Sequence, residues 1–292
     1  MIETARPVVV RAGARLHFGL TDTRPPFGGI GLMIDSPFTE VRVTPHASWR
    51  CDGYADRIEP VARRMPGDLP PARVWVPRRP PPHAGFGTGT TLAVAVADAL
   101  SQSLGHDRSP DAIRRWAGRG LRSRVGEHGY FRGGLVSHLR DDDPVHVTSL
   151  PSAWRVVTWS VGVGEAISGG VERAGFDGMD RTSTERRRKL ERLIDELHEA
   201  AAGGRAGDFG KALTRYNRMS GEMFAGVQGG PYADAAIERR VESVQRFAPE
   251  AGVGQSSWGP TVFAVVPDAG RAGELVERFE GGVVRRLTPV SP

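Results

Sequence analysis

Along the first half of the chain apolar and polar positions tend to alternate, and along the second half they recur every three to four residues. Residues 8–10 are all valine and lead into Ala14, Leu16 and Phe18, a spacing that predicts a long strand. Glu40-Val41-Arg42-Val43-Thr44 has the period of a half-buried strand, as do Ala72-Arg73-Val74-Trp75-Val76 and the stretch 145–148. Two helices interrupt this half. Leu92, Val96 and Leu100 share one helical face, and Ser109-Pro110-Asp111 is a helix start for residues 112–117, with proline early in the first turn.

After a strand at 155–161 the rhythm changes. Thr182-Ser183-Thr184-Glu185 has the layout of a capping box, and Leu190, Leu193, Ile194 and Leu197 follow at helical spacing. Amphipathic helices are predicted at 209–224 and 232–247, then a strand at 261–266, a helix at 269–279 and a strand at 283–287. That order predicts helices packed on antiparallel or mixed sheets, an α+β fold, with a first unit at 1–150 and a second at 151–292. The proline- and arginine-rich piece 77–82 reads as an extended connector.

Ahead of the Leu92 helix stands Pro81-Pro82-His83-Ala84-Gly85-Phe86-Gly87-Thr88-Gly89-Thr90-Thr91. Glycines at alternate positions let the backbone approach a bulky anion, and the helix behind them points free N–H groups and its positive dipole end at the same spot. The threonines Thr88, Thr90 and Thr91 add hydroxyls.

Three further segments carry chemistry. In Arg15-Leu16-His17-Phe18-Gly19-Leu20-Thr21-Asp22, Arg15 and His17 lie two apart on a predicted strand and project from the same face, beside the glycines of Phe27-Gly28-Gly29-Ile30-Gly31-Leu32. Gly118-Arg119-Gly120-Leu121-Arg122-Ser123-Arg124 crowds arginines and a serine among glycines, a composition poor for packing and good for gripping anions. Gly252-Val253-Gly254-Gln255-Ser256-Ser257-Trp258-Gly259-Pro260 sets an amide, two hydroxyls and an indole ahead of an apolar strand, a layout suited to a ligand.

Composition narrows the class. Of 292 residues, 39 are basic and 34 acidic, but the basic groups are scattered. The one dense cluster, Arg186-Arg187-Arg188-Lys189, shares its helix with Glu185, Glu191, Asp195 and Glu196, the pattern of a solvated face. With few aromatics beside these cations, a small anionic substrate is expected rather than nucleic acid. A single cysteine, Cys51, rules out an intramolecular disulfide and points to reducing cytoplasm. The first residues lack a signal-peptide layout, and no apolar run reaches the roughly 18 residues of a membrane span, so a soluble chain is expected.

These segments together resemble the GHMP superfamily of small-molecule kinases, whose phosphate loop reads Pro-x-x-x-Gly-x-Gly-(Ser/Thr). They look closest to its non-kinase branch, the β-ribofuranosylaminobenzene 5′-phosphate synthases. The likeness is carried by residues 15–22, by Gly87-Thr88-Gly89-Thr90, by Gly118, Arg119, Gly120, Arg122 and Ser123, by Ser168, Gly169 and Glu172, and above all by residues 254–260. The chain departs from the branch after Gly134, reading Leu135-Val136-Ser137-His138 where an apolar stretch and an acidic residue are usual.

The resemblance implies a two-lobed fold, an N-terminal lobe like a ribosomal-protein domain and a C-terminal ferredoxin-like lobe. It also implies transfer of ribose 5-phosphate from phosphoribosyl pyrophosphate to a ring carbon of an aromatic amino acid, with loss of pyrophosphate and carbon dioxide. Arg15, Arg124 and the Gly85–Thr91 loop would then bind phosphates, and His17, Asp22, Arg122 and Ser123 would serve catalysis. Gln255, Ser256, Ser257 and Trp258 would orient the acceptor, and Mg2+ would contact Thr88 and Thr90 directly or through water. A homodimer is implied by the branch alone. The arginine- and proline-rich composition looks like that of a high-GC bacterium, where relatives make C-nucleoside antibiotics of the formycin and pyrazofurin type, whose acceptor would be an aminopyrazole dicarboxylate.

Two other classes compete. An ATP-dependent GHMP kinase shares the loop, but such enzymes usually set a lysine near an acidic base, and the only lysines are Lys189 and Lys211, both on predicted exposed helix. A nucleic-acid or regulatory binder would show steeply salt-dependent affinity.

Overall fold

The computed structural model describes residues 6–68, 71–118, 123–140, 143–161 and 179–291. The run from Val8 through Phe18 forms β1 (Val8–Gly19), which pairs antiparallel with the long β2 (Gly29–Pro45) over nearly its whole length. β3 (Arg50–Asp52) and β4 (Ala72–Arg78) extend the sheet on one side of β2, and β5 (Leu135–His138) and β6 (His146–Thr148) extend it on the other.

The helix behind the glycine loop, α2 (Thr88–Leu104), runs across this sheet between α1 (Ala55–Ala62) and α3 (Pro110–Ala117). It is buried on nearly every side from Leu92 to Ser101, which explains why its apolar residues exceed a single stripe. Ser109 caps α3 as expected, its side chain accepting from the Ala112 N–H. α4 (Val125–Arg132) fills a stretch whose glycines gave no helical signal, and Gly129 is small because Met33 packs against it.

The second sheet is antiparallel, in the order β10 (Val283–Arg285), β7 (Arg155–Ser160), β9 (Thr261–Val266), β8 (Gly252–Gln255). α8 (Ala235–Phe247) and α9 (Ala269–Arg278) share a core with this sheet through Val241, Val244, Ala272 and Leu275. α5 (Thr184–Ala202) and α6 (Ala206–Glu222), followed by the short α7 (Ala225–Gln228), form another core with Val156, Phe263 and Val265. The capping box is displaced by one residue: Ser183, not Thr182, accepts from the Arg186 N–H, while Thr182 donates its N–H to Asp22 Oδ1 at 3.2 Å.

The halves share a core. Leu16, Phe18, Ile30 and Leu32 from the first sheet meet Leu193, Leu213 and Phe263 from the second half. Beyond β10 the chain returns to the first sheet, where Thr288 donates to the Met33 carbonyl and accepts from the Gly134 N–H. A polar latch reinforces the contact. The ring of His198 on α5 bonds Ser137 on β5 and Thr148 on β6, each at 2.8 Å, and stacks on His146 at 3.8 Å. Burial lowers the His198 pKa to about 3, so the ring is neutral.

Candidate functional site

The end of β1, the glycine loop and the β8–β9 turn converge around a cavity of about 710 Å³. The pleat of β1 turns Ala14, Leu16 and Phe18 into the core and leaves Arg15 and His17 on the cavity side. The loop is sewn to both neighbours. Arg15 N–H donates to the Phe86 carbonyl at 3.1 Å, Ser256 Oγ donates to the Gly85 carbonyl at 2.5 Å, and Thr261 Oγ1 donates to the Ala84 carbonyl at 2.6 Å.

The loop glycines answer to different constraints. Gly85 and Gly87 have φ of 85° and 66°, and a Cβ on Gly85 would stand 2.7 Å from the Ser256 carbonyl oxygen. Gly89 is in the first turn of α2 with ordinary helical backbone, and a Cβ there would meet nothing within 4 Å. Packing therefore explains Gly85 and Gly87 but not Gly89, which borders the cavity. The N–H groups of Thr88 and Gly89 open the helix and have no intrahelical carbonyl to bond.

Arg15 supplies the charge. Its guanidinium lies beneath the loop between Gly87 and Gly126, with Nε and Nη1 each 3.1 Å from the positions their Cβ atoms would take. Nε is buried and finds no hydrogen-bond partner, and no carboxylate among the described residues pairs with the group. Burial lowers its pKa to about 10, which leaves it charged at neutral pH. His17 is buried beside it; desolvation, then the Arg15 charge, holds its pKa well below 6.5, so the ring is neutral with Nε2 unpartnered.

The opposite wall comes from α6 and the segments after it. Where β1 ends, the successive carbonyls of Phe18, Gly19 and Leu20 accept from Asn217 Nδ2 (2.8 Å), Tyr216 Oη (3.0 Å) and Ser220 Oγ (2.9 Å). Asn217 also receives the Gln255 N–H at 2.9 Å and donates to the Gln255 carbonyl at 2.8 Å, tying β1 to β8. Aromatic surface follows: Trp258 meets Phe224 edge-to-face at 5.1 Å, and both line the cavity with Tyr232.

Of the sequence-nominated residues, the structure brings Arg15, His17, Ser123 and Trp258 to the cavity, with Ser257 exposed at its edge. Gly85, Gly87, Thr88, Gly89 and Thr90 line it too. Gln255 reaches it, but its amide is engaged inside the protein, accepting from the Ala233 N–H and donating to the Gly259 carbonyl.

Four nominated residues stand elsewhere. Ser256 is fully buried as a strut, receiving the His17 N–H at 3.0 Å as well as holding Gly85. Thr91 is buried in the first turn of α2, away from the cavity lining. Arg124 caps α4 without lining the cavity, its Nε 4.0 Å from Glu127 Oε2. Asp22 is fully buried, because the turn closed by its N–H on the Phe27 carbonyl sends its carboxylate toward Thr182, Arg181 and Arg187. Arg119 and Arg122 lie outside the described residues, as do Ser168, Gly169 and Glu172. The stretch Leu135–His138, where the chain departs from the synthase branch, is the wholly buried β5 and not a cavity wall.

Sequence reading missed Asn217, Phe224 and Tyr232, and also Tyr54, Arg57, Arg79 and His83 on the near wall. The non-glycine residues with positive φ among those described are Tyr54 (57°), His83 (61°) and Ser257 (54°), and all of them line this cavity. Such conformations are costly and gather where function holds them in place.

The donor set does not make a metal centre by itself. Among the described residues no group of His, Cys, Asp or Glu could hold an ion, and the one carboxylate lining the cavity, Asp56, pairs with Arg57 at 3.0 Å. Hydroxyls at Thr88, Thr90 and Ser123 suit a magnesium ion that arrives on substrate phosphates and keeps much of its water. No helix among the described residues is long and apolar enough to cross a membrane.

Comparison with known proteins places the fold. Residues 193–283 match the family described as GHMP kinases C terminal. Mevalonate pyrophosphate decarboxylase from Streptococcus pyogenes superposes with a TM-score of 0.74 over 100% of both chains at 12% identity. Phosphomevalonate kinase from Streptococcus pneumoniae gives 0.73 over 97% of this chain and 100% of that one, at 14% identity. The fold is thus the two-lobed α+β fold of the GHMP kinases. Two curated relatives are both named beta-ribofuranosylphenol 5′-phosphate synthase. The one from Archaeoglobus fulgidus is 25% identical over 88% of this chain and 87% of its own, and the one from Methanothermobacter thermautotrophicus is 23% identical over 89% of each.

Proposed function

We propose that the protein joins ribose 5-phosphate, donated by phosphoribosyl pyrophosphate, to a ring carbon of an electron-rich aromatic carboxylic acid, with release of pyrophosphate and carbon dioxide. The observation that carries this reading is Arg15: a charged guanidinium, its Nε buried without a partner and with no carboxylate among the described residues paired to it, under an open helix N-terminus, across the cavity from an aromatic wall. A cation left without a carboxylate in such a place calls for a strongly anionic ligand. The synthase relatives supply the reaction class.

The bond from the anomeric carbon to the diphosphate oxygen breaks, and its electron pair leaves with the diphosphate. Charge grows on that leaving group, where the N–H groups of Thr88 and Gly89 and the Arg15 guanidinium are already oriented to receive it. The acceptor carbon bearing the carboxylate bonds to the anomeric carbon. The carboxylate carbon then departs as carbon dioxide, and the electron pair of the broken bond restores the aromatic ring. That step needs no strong base, in keeping with a neutral His17 and with Asp56, the one carboxylate among the described residues of the lining, being ion-paired. Trp258, Phe224 and Tyr232 would hold the acceptor ring. Magnesium, held by Thr88, Thr90 and Ser123 with the substrate phosphates, would neutralise part of the diphosphate charge.

The acceptor carries an amino or hydroxyl group that enriches the ring. We place 4-aminobenzoate, 4-hydroxybenzoate and an aminopyrazole dicarboxylate in that class, the last linking the protein to C-nucleoside formation. The test is incubation with phosphoribosyl pyrophosphate, magnesium and each acid in turn. Pyrophosphate and carbon dioxide released in equal amounts are expected. Turnover of ATP with none of phosphoribosyl pyrophosphate would transfer the protein to the kinases, against which stands a cavity lining without a lysine.

A further inference from the structure

The proposed donor carries anions at both ends of its sugar, a diphosphate on the anomeric carbon and a phosphate monoester on the far side of the ring. Arg15 and the glycine loop account for one of them. Resting on that functional reading, we infer that Arg79, stacked on Tyr54, is the site of the second, the ribose 5-phosphate group.

Arg79 follows β4 directly and lines the same cavity as Arg15. Its guanidinium carbon lies over the Tyr54 ring, 4.0 Å from the centroid, a contact that orients the cation without using its N–H donors. Arg79 is half-buried and has no ion pair with any described carboxylate. The neighbouring cation of this wall, Arg57, is already matched by Asp56 at 3.0 Å, so the uncompensated charge belongs to Arg79. Tyr54 holds a left-handed backbone at φ 57° where α1 begins, which turns its ring toward the cavity.

The chain between Arg79 and the glycine loop is stiff. Pro80, Pro81 and Pro82 each lock φ and lack an N–H, and the Thr88 hydroxyl closes back on the Pro81 carbonyl at 3.3 Å. The connector is thus a stiff spacer between two anion sites, with His83 (φ 61°) at the bend. An acceptor carboxylate is the poorer occupant. The aromatic surface that would hold the acceptor comes from Phe224, Tyr232 and Trp258 in the other half, and the Tyr54 face is already covered by Arg79.

Titration calorimetry of the whole protein with three ligands in magnesium buffer tests the assignment: phosphoribosyl pyrophosphate, inorganic pyrophosphate and ribose 5-phosphate. In Arg79→Ala, the affinities for phosphoribosyl pyrophosphate and ribose 5-phosphate are expected to fall about 10- to 100-fold, with pyrophosphate unchanged. Arg15→Met is expected to give the converse pattern, losing pyrophosphate and keeping ribose 5-phosphate. Tyr54→Leu leaves the cation but removes its support, and a smaller loss confined to the same two ligands is expected.

Equal losses for pyrophosphate and ribose 5-phosphate in Arg79→Ala, or no loss for any ligand, overturn the assignment. So does an effect confined to the KM of the aromatic acid. If the unmodified protein binds none of the three, the functional reading itself fails, an outcome separate from a misassigned arginine.

Discussion

The glycine loop before α2 and the segment from β8 to Pro260 look alike in sequence, each a run of glycines and hydroxyls at the edge of an apolar element. In the folded protein they have opposite uses. The loop leaves the first N–H groups of α2 and an open face at Gly89 turned to the cavity. The later segment turns most of its polar atoms inward: Gln255 holds Ala233 and Gly259, and Ser256 holds His17 and Gly85. One presents donors to the cavity and the other braces. A site that must present bare donors needs a neighbour that uses up its own, because the loop has few internal bonds to keep its shape.

The largest expected effect tests the binding side. Arg15→Met should lower kcat by roughly 100- to 1000-fold, as loss of a preorganised donor to the leaving group does. Thermal unfolding should hold or rise, since the change removes a buried guanidinium nitrogen that has no partner in the protein. A loss of stability would mean that Arg15 braces too.

Asn217→Leu tests the bracing side. It removes hydrogen bonds to Phe18 and Gln255 and strands buried backbone groups, which should cost about 3 kcal/mol in urea unfolding. Ser256→Ala is the milder version, at about 2 kcal/mol, with KM for the donor rising as the loop loosens.

Two glycines sharpen the contrast within one loop. Gly85→Ala should destabilise the fold by about 1–3 kcal/mol, through its positive φ and the Ser256 carbonyl in its path. Gly89→Ala should leave the melting temperature unchanged or slightly higher, as alanine favours helix, while donor KM rises about 10-fold from a methyl at the phosphate. Equal effects of the two on stability would erase the distinction drawn between them.

Much of the frame was legible in sequence where one periodicity ruled. β1, α3 and α9 bury one face, and alternation or helical spacing revealed them. β8 and the start of β2 escaped because they are covered on both sides, which abolishes alternation and leaves Gly-Ile-Gly-Leu reading as a turn. α4 escaped because Gly126 and Gly129, kept small by Arg15 and Met33, depress helix propensity.

The site divides the same way. The glycine loop is a local motif and was visible. Asn217 acts on carbonyls 199 and 38 residues away, so nothing beside it in the chain betrays its task. Asp22 misled for the complementary reason: it belongs to a segment rich in chemistry, yet the Phe27 turn points it elsewhere.

The imidazole clasp between α5 and the first sheet has a consequence for acidic media. The native His198 ring takes up a proton only near pH 3, whereas the denatured chain does so near 6.5, so the denatured form binds more protons throughout that window. Stability is therefore complete above pH 6.5 and drains away as pH falls toward 3, and the His146 ring lying 3.8 Å off repels any charge that forms. Acidification should pry the α5 helix from strands β5 and β6 before it disturbs the deeply enclosed α2, and hydrogen exchange at these elements would follow that order of release.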